Sequence, residues 1–297
     1  MSFFSLTDHP SIGGESLQGY PVKIKPEDLY LDLIKKTLAF TLWPEPPHPI
    51  SNFKYLGSPL KKWVISSVSR LLMLRRFQLV RVTAVTPDQR EEGTIWPEYS
   101  DTMIGLKRLN NLQFCVETAI REGIQGDMIE TGVWRGGACI FMRAILKAYA
   151  VVDRKVYVAD SFAGLPKPDE DKFPADKGDK HHVLSFLAVS QNEVENNFRK
   201  YDLLDCQVVF LKGWFKDTLP NAPIEQLAVL RLDGDMYSST MDALTNLYPK
   251  LSKNGFCIID DYALQGCRKA VDDYRSQHGI ASKMHEIDWS GTYWRKD

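Results

Sequence analysis

Carboxylate side chains end two apolar runs of the sequence. Asp233 closes the run that begins at Leu227, and Asp235 lies two residues further on. Asp260 and Asp261 close a second apolar run. Ligands of open α/β sheets bind at the carboxyl ends of the strands, so we expect these acids to face one site.

These acids could bind a divalent cation. Asp233, Asp260 and Asp261 offer three hard oxygen donors, which suit Mg²⁺. The alternative is that the acids only cap the helices that follow their strands. Like charges from two neighbouring strands repel without a cation, which favours the metal site.

Three side chains could accept a proton beside that cation. Asp235 could point at a bound substrate, and we expect it to act as the general base. His181 and His182 are rival proton acceptors in a polar loop, residues 164–182, that is rich in Pro, Lys and Asp. A loop of that length is more typical of a lid than of a spacer. The alternative is that both histidines are solvated loop residues.

A glycine-rich turn follows the first strand of the regular part, in the sequence Glu130-Thr-Gly-Val-Trp-Arg-Gly-Gly137. Glycine lets the backbone turn sharply and approach a ligand where a Cβ would collide. The spacing is not the G-x-G-x-x-G of dinucleotide enzymes, which disfavours a nicotinamide cofactor. A tight strand-to-helix turn without a ligand is the alternative.

The ends of the next two strands indicate a nucleoside. Asp160 ends the second strand, where an acid can accept both hydroxyl protons of a ribose; a helix-capping Asp is the alternative. Trp214 follows the third strand, where an adenine could stack on it, although a buried core Trp would also fit the pattern.

Strands and helices alternate from residue 96 onwards. The periodicity predicts strands over 127–131, 156–160, 208–211, 227–233 and 256–260, helices over 104–121, 138–149, 190–201, 239–251 and 268–278, and closing strands over 284–287 and 292–295. This order predicts a parallel sheet with helices on both faces. We divide the chain into an N-terminal arm and helical extension (1–95) and a main domain (96–297) with the 164–182 lid. Within the extension, residues 1–26 are expected to be poorly ordered and 29–38 helical.

Composition narrows the class of protein. The net charge of −1 does not indicate a nucleic-acid partner, and no apolar run is long enough to span a membrane. The N-terminus lacks the features of a secretory signal, and the five cysteines have no C-x-x-C spacing. We therefore expect a cytoplasmic protein with mostly buried, reduced cysteines.

A basic amphipathic stretch covers residues 61–76. It could contact a membrane surface or an acidic partner. More often such a stripe packs on its own domain or on a second subunit. Because this stripe and the one at 29–38 need covering, we expect a dimer or larger homo-oligomer.

Eight segments resemble one enzyme family. They lie at residues 29–38, 102–113, 129–137, 158–166, 213–220, 230–237, 260–262 and 287–294. On these segments the chain resembles the macrocin O-methyltransferases (the TylF, MycF and NovP type), which use Mg²⁺ and S-adenosylmethionine. The resemblance covers nearly everything from Trp96 to the end, together with the early helix.

The resemblance implies a fold, a reaction and a site. The fold is the Rossmann-like class I S-adenosylmethionine methyltransferase, an α/β protein with a seven-stranded, mostly parallel sheet whose last strand is antiparallel. The reaction is methyl transfer to a small-molecule hydroxyl of a secondary metabolite, often a deoxysugar, with polyketide, peptide and phenolic acceptors open. Mg²⁺ is assigned to the three aspartates named above. The implied donor-binding residues are Thr102, Met103, Glu130, Thr131, Gly132, Trp134, Asp160, Ser161, Gly213 and Trp214.

Two rival functions stay open. Another chemistry on the same sheet is one, but the absence of G-x-G-x-x-G disfavours a nucleotide-dependent oxidoreductase. Three carboxylates without a metal-facing His likewise disfavour an iron-dependent hydroxylase. The other is a non-catalytic partner protein that binds S-adenosylmethionine and docks to a larger assembly through residues 61–76.

Overall fold

The computed structural model describes residues 25–49, 59–82 and 84–297. The arm predicted over 1–26 lies almost entirely outside these residues. In the described part, seven strands form one sheet in the order β5-β4-β3-β6-β7-β9-β8. These strands are β3 (Asp127–Thr131), β4 (Val156–Asp160), β5 (Val208–Lys212), β6 (Leu227–Leu232), β7 (Leu251–Ile259), β8 (His285–Glu286) and β9 (Thr292–Arg295). The last strand, β9, runs antiparallel to both of its neighbours, as predicted.

The helices of the described ranges cover both faces of the sheet, which confirms the predicted fold class. They are α1 (Pro26–Leu38), α2 (Pro59–Leu74), α3 (Pro87–Glu92), α4 (Leu106–Arg121), α5 (Gly137–Ala148), α6 (Gln191–Lys200), α7 (Phe215–Thr218), α8 (Tyr237–Leu247) and α9 (Gln265–Gln277). One core cluster joins α1, α4, α5 and α6 to one face of the sheet, and a second joins α8 and α9 to the other.

The N-terminal extension contributes to the first of these cores. Leu31, Ile34 and Leu38 of α1 are buried in the same cluster as α5. Further along the chain, β1 (His48–Pro49) and β2 (Val80–Arg81) pair as a two-stranded antiparallel ribbon. In the sequence, α2 lies between these two strands. The domain boundary at residue 95 stays a prediction. None of the helices in the described ranges combines the length and the apolarity needed to cross a membrane.

Two local predictions were wrong, and one helix was missed. The helix predicted over 239–251 ends at Leu247, because Pro249 lies in the 3-10 turn Tyr248–Lys250 and cannot continue an α-helix. Strand β7 then begins at Leu251 instead of residue 256, and it includes Asn254, whose backbone is left-handed with φ of 64°. Helix α3 was missed although Thr86 and Gln89 form a capping box before it.

Candidate active site

The three predicted metal-binding aspartates lie at adjoining strand ends. Asp233 directly follows β6, and Asp260 and Asp261 directly follow β7, which pairs with β6 in parallel. Each offers one carboxylate oxygen such that the three atoms lie within 4.8 Å of one another. None of the three is the capping residue of the next helix, because α8 begins after Met236 and α9 after Leu264. The capping alternative is therefore wrong.

The cap of α8 comes instead from the 164–182 loop. Asp176 is buried, and its carboxylate accepts the N–H of Tyr237 at 2.6 Å and the N–H of Ser238 at 3.1 Å. These are two of the unpaired donors that begin any helix. Nothing in the sequence distinguished Asp176 from the other acids of the loop. The contact fastens the loop to the helix that follows Asp235.

Two buried arginines donate hydrogen bonds to the acids, and neither was predicted from the sequence. The Arg231 guanidinium donates to Glu130 at 2.5 Å, to Asp233 at 2.8 Å and to Asp260. Arg108 of α4 donates to the other oxygen of Asp260 at 2.6 Å. Arg108 also donates to Asp288 at 2.7 Å. Arg231 could have been noticed, because it is a single arginine inside an apolar run that is typical of a fully buried strand.

Burial and the repulsion of neighbouring acids raise the pKa values of Asp233, Asp235 and Asp261. Burial, followed by the charge of Asp260, raises the pKa of Asp233 to about 6, against the opposing effect of Arg231. Burial, followed by the charge of Asp233, raises the pKa of Asp235 to about 7. The pKa of Asp261 is raised further, by burial and by these two neighbours. A cluster that resists full ionisation in this way is one that a cation would stabilise.

Asp235 is the first of the three predicted proton acceptors. Its backbone is left-handed, with φ of 57°, and its N–H donates to Asp261 Oδ2 at 3.1 Å. His181 Nδ1 lies 2.7 Å from Asp179 Oδ2, and the charge of His181 opposes the rise in the pKa of Asp235. His182 Nδ1 is buried without a hydrogen-bond partner among the described residues. Both histidines are half-buried, and their role as proton acceptors stays a prediction.

One cavity of about 260 Å³ connects the acids to the glycine-rich turn. Asp233 and Asp235 line one part of it, and the loop residues Gly164, Leu165 and Phe173 form a wall. The predicted donor-binding residues that line it are Met103, Gly132, Trp134, Asp160, Ser161, Gly213 and Trp214. The structure thus brings seven of these predicted residues and two of the acids around a single space.

Three predicted donor-binding residues, Glu130, Thr131 and Thr102, are not among the residues that line the cavity. Glu130 bonds to Arg231 and accepts the thiol of Cys139 at 3.0 Å. The side chain of Thr131 is fully buried. Thr102 is also buried, and its hydroxyl accepts the N–H of Ile104. Their roles at the donor stay predictions.

The turns at the strand ends are tightly fitted. Gly132 has φ of 85°, and a Cβ there would lie 1.7 Å from the carbonyl oxygen of Asp233. Asp160 accepts the N–H of Val133 at 2.8 Å and of Phe162 at 2.7 Å, so it holds two turns together instead of capping a helix. Trp214 is 36% exposed, which makes the buried-core alternative wrong.

Sheet order and cavity define a Rossmann-like methyltransferase, and comparison with known proteins specifies the family. The macrocin O-methyltransferase (TylF) family model matches residues 27–296. Mycinamicin III 3''-O-methyltransferase of Micromonospora griseorubida is 49% identical over 272 residues, which cover 91% of this chain and 96% of that protein. An 8-demethyl-8-(2,3-dimethoxy-alpha-L-rhamnosyl)-tetracenomycin-C 4'-O-methyltransferase of Streptomyces olivaceus is 48% identical over 269 residues, covering 90% and 92%.

A solved structure agrees with these relatives. The O-methyltransferase NovP superposes with a TM-score of 0.78 at 47% identity and covers 91% of this chain and 99% of its own. The chain belongs to the macrocin O-methyltransferase family. It is an enzyme that transfers the methyl group of S-adenosylmethionine to oxygen.

Proposed function

We propose that this enzyme methylates a sugar hydroxyl of a glycosylated secondary metabolite and uses Mg²⁺ to do so. The observation that carries the proposal is the single cavity that runs from Asp160 and Gly213 to Asp233 and Asp235. Donor and acceptor can meet inside that space, between a turn suited to a nucleoside and a cluster of acids. The names of the two relatives support the acceptor class, since one includes a rhamnosyl group.

Mg²⁺ fits the acids on chemical grounds. Asp233, Asp260 and Asp261 present only hard oxygen donors within reach of one ion, and their burial and mutual repulsion favour a doubly charged partner. When bound there, the ion would supply positive charge that lowers the pKa of an acceptor hydroxyl.

The residues of this chain then have distinct tasks. Asp160 and Trp214 would position the ribose and adenine of the donor, and Met103 and Trp134 would enclose its sulfonium end. Asp235 would take the proton of the acceptor hydroxyl, whose oxygen bonds to the methyl carbon as the carbon–sulfur bond breaks. The loop that contains Asp176 would exclude water from the charged centre. Holding two reactants in register accounts for up to about 7–11 kcal/mol of the barrier.

The test is a transfer assay with the purified protein, S-adenosylmethionine and the acceptors named for the two relatives. We expect S-adenosylhomocysteine and a methylated sugar to form together, turnover to stop with a chelator, and Mg²⁺ to restore it. Mass spectrometry of the acceptor fragments locates the methyl group. Methylation of an aglycone hydroxyl would contradict the acceptor class, and unchanged turnover in chelator would contradict the metal.

Asp176 provides a prediction for the loop. Asp176→Ala removes the acceptor of two helix N–H groups, a change worth about 0.5–2 kcal/mol at helix caps. Because the loop forms a wall of the cavity, we expect the Kd of S-adenosylmethionine to rise about 2- to 30-fold, as calorimetry would show. Ser190→Ala is the control, since it removes the cap of α6, a helix that contributes no residue to the lining of the cavity. Equal donor affinity in both variants would contradict this role.

We also propose that the protein is cytoplasmic and forms a homo-oligomer. On α2, large apolar side chains stand exposed, among them Trp63, Leu71 and Leu74. A second copy of the chain that covers them would explain why they are apolar.

A further inference from the structure

Arg231 occupies an unusual position for a charged residue. It lies in β6, between β3 and β7, and only 1% of its surface is exposed. Although burial disfavours a charged guanidinium, the neighbouring acids, Asp260 and Glu130 first, hold the pKa of Arg231 well above its usual value. The planar fork of arginine can donate to several carboxylates at once, which lysine cannot do. One side chain therefore ties the ends of three adjacent strands together.

The contacts of Arg231 select particular oxygens. It donates to Asp233 Oδ2 and to Asp260 Oδ1, and Arg108 donates to Asp260 Oδ2. Asp233 Oδ1 accepts no hydrogen bond from the described residues. No arginine of the described residues donates a hydrogen bond to Asp261, whose Oδ2 is held by the N–H of Asp235. The arginines thus fix two of the three acids from one side and leave an oxygen of Asp233 open.

We propose that Arg231 is a positioning residue for the cation site, assisted by Arg108. This inference rests on the proposed magnesium dependence and adds residues that the three ligands alone do not include. Arg231 compensates the repulsion between Asp233 and Asp260 before the cation arrives, so that both carboxylates are already oriented. Glu130, on the far side, holds the guanidinium in place. Outer partners that orient metal ligands in this way have large effects on metal affinity.

A purely structural ion pair is the competing explanation, because buried pairs of this kind are common without a role at a metal. The chain supplies a matched control for it. Arg143 is also buried and donates to both oxygens of Asp205, at 3.0 Å and 2.5 Å. Neither residue lines the cavity, so Arg143→Lys reports what the loss of a buried arginine fork does to the fold alone.

The experiment compares the full-length parent, Arg231→Lys and Arg143→Lys. MgCl₂ is titrated by calorimetry into each protein saturated with S-adenosylhomocysteine, and Mn²⁺ binding by electron paramagnetic resonance gives the stoichiometry. Arg231→Lys keeps the charge and loses the fork, so we expect the Mg²⁺ affinity to fall about 10- to 100-fold. Arg143→Lys should bind Mg²⁺ as the parent does, whatever its melting temperature.

Three outcomes would overturn the inference. Mg²⁺ affinity in Arg231→Lys within twofold of the parent assigns Arg231 a structural role only. An equal loss of affinity in Arg143→Lys attributes the effect to the fold. If the parent itself shows no saturable Mg²⁺ or Mn²⁺ binding, the proposed metal dependence is wrong as well. This outcome differs from a failure of the Arg231 inference alone, in which the parent still binds the metal. Should Arg231→Lys not fold by circular dichroism, Arg108→Lys carries the same expectation, since it releases the other oxygen of Asp260.

Discussion

Asp235→Asn is expected to lower kcat by about 10²- to 10⁴-fold, the usual contribution of a positioned general base. Asn preserves the shape of the side chain but cannot accept the proton of the acceptor hydroxyl. The backbone of Asp235 is left-handed, with φ of 57°. Asn is among the residues that adopt this backbone most readily, so we expect the substitution to leave the fold intact. The remaining rate should increase with hydroxide concentration, since solvent base then removes the proton. Initial rates between neutral and alkaline pH measure both effects.

The control for this variant is Asp202→Asn. Asp202 also has a left-handed backbone, with φ of 53°, but it is exposed in the turn after α6. Its substitution should leave kcat and the KM of both substrates at parental values. If Asp235→Asn retained the parental rate, Asp235 would not be the base, and His181 would be the next residue to test.

Asp261→Asn should abolish the response of the enzyme to Mg²⁺. Of the three proposed ligands, Asp261 is the one that accepts no hydrogen bond from an arginine of the described residues, so its substitution leaves both buried guanidinium groups paired. The amide oxygen can still accept the N–H of Asp235, which preserves the turn. A bound metal supplies several kcal/mol of charge stabilisation, so we expect kcat/KM to fall by at least about 10²-fold at saturating Mg²⁺.

Asp127→Asn is the matched control at the opposite edge of the sheet. Asp127 is half-buried like Asp261, and it accepts one backbone N–H, from Lys155 at 2.7 Å. Calorimetric titration with MgCl₂ should show parental binding in Asp127→Asn and none in Asp261→Asn. Parental Mg²⁺ affinity in Asp261→Asn would remove this residue from the ligand set.

Much of the sheet and of the cavity could be predicted from the sequence because the relevant signals are local. The apolar runs before Asp160 and Asp233 mark strands, and parallel strands place their carboxyl ends at one edge. The end of α8 was misjudged because the apolar pattern continues through Leu251, whereas the backbone of Pro249 cannot follow it. Where pattern and backbone chemistry disagreed, the backbone decided the structure.

The long-range contacts around the acids, which Arg108 and Asp176 make, could not be predicted in the same way. Arg108 and Asp260 are 152 residues apart, and Asp176 and Tyr237 are 61 apart. No periodicity links such pairs, since they meet only after helices and loop have packed on the sheet. Arg231 was the exception that could have been found, because an unpaired charge does not survive in the interior. Its presence within β6 already required acidic partners.

The contact between Gly132 and Asp233 limits how the enzyme can be redesigned. Since a side chain at 132 would overlap the carbonyl oxygen of Asp233, the two turns form one closely packed part of the site. Directed evolution towards new acceptors has to leave that part unvaried. Sequence diversity is better introduced in the loop at 165–173, which borders the same cavity and lies outside these two turns.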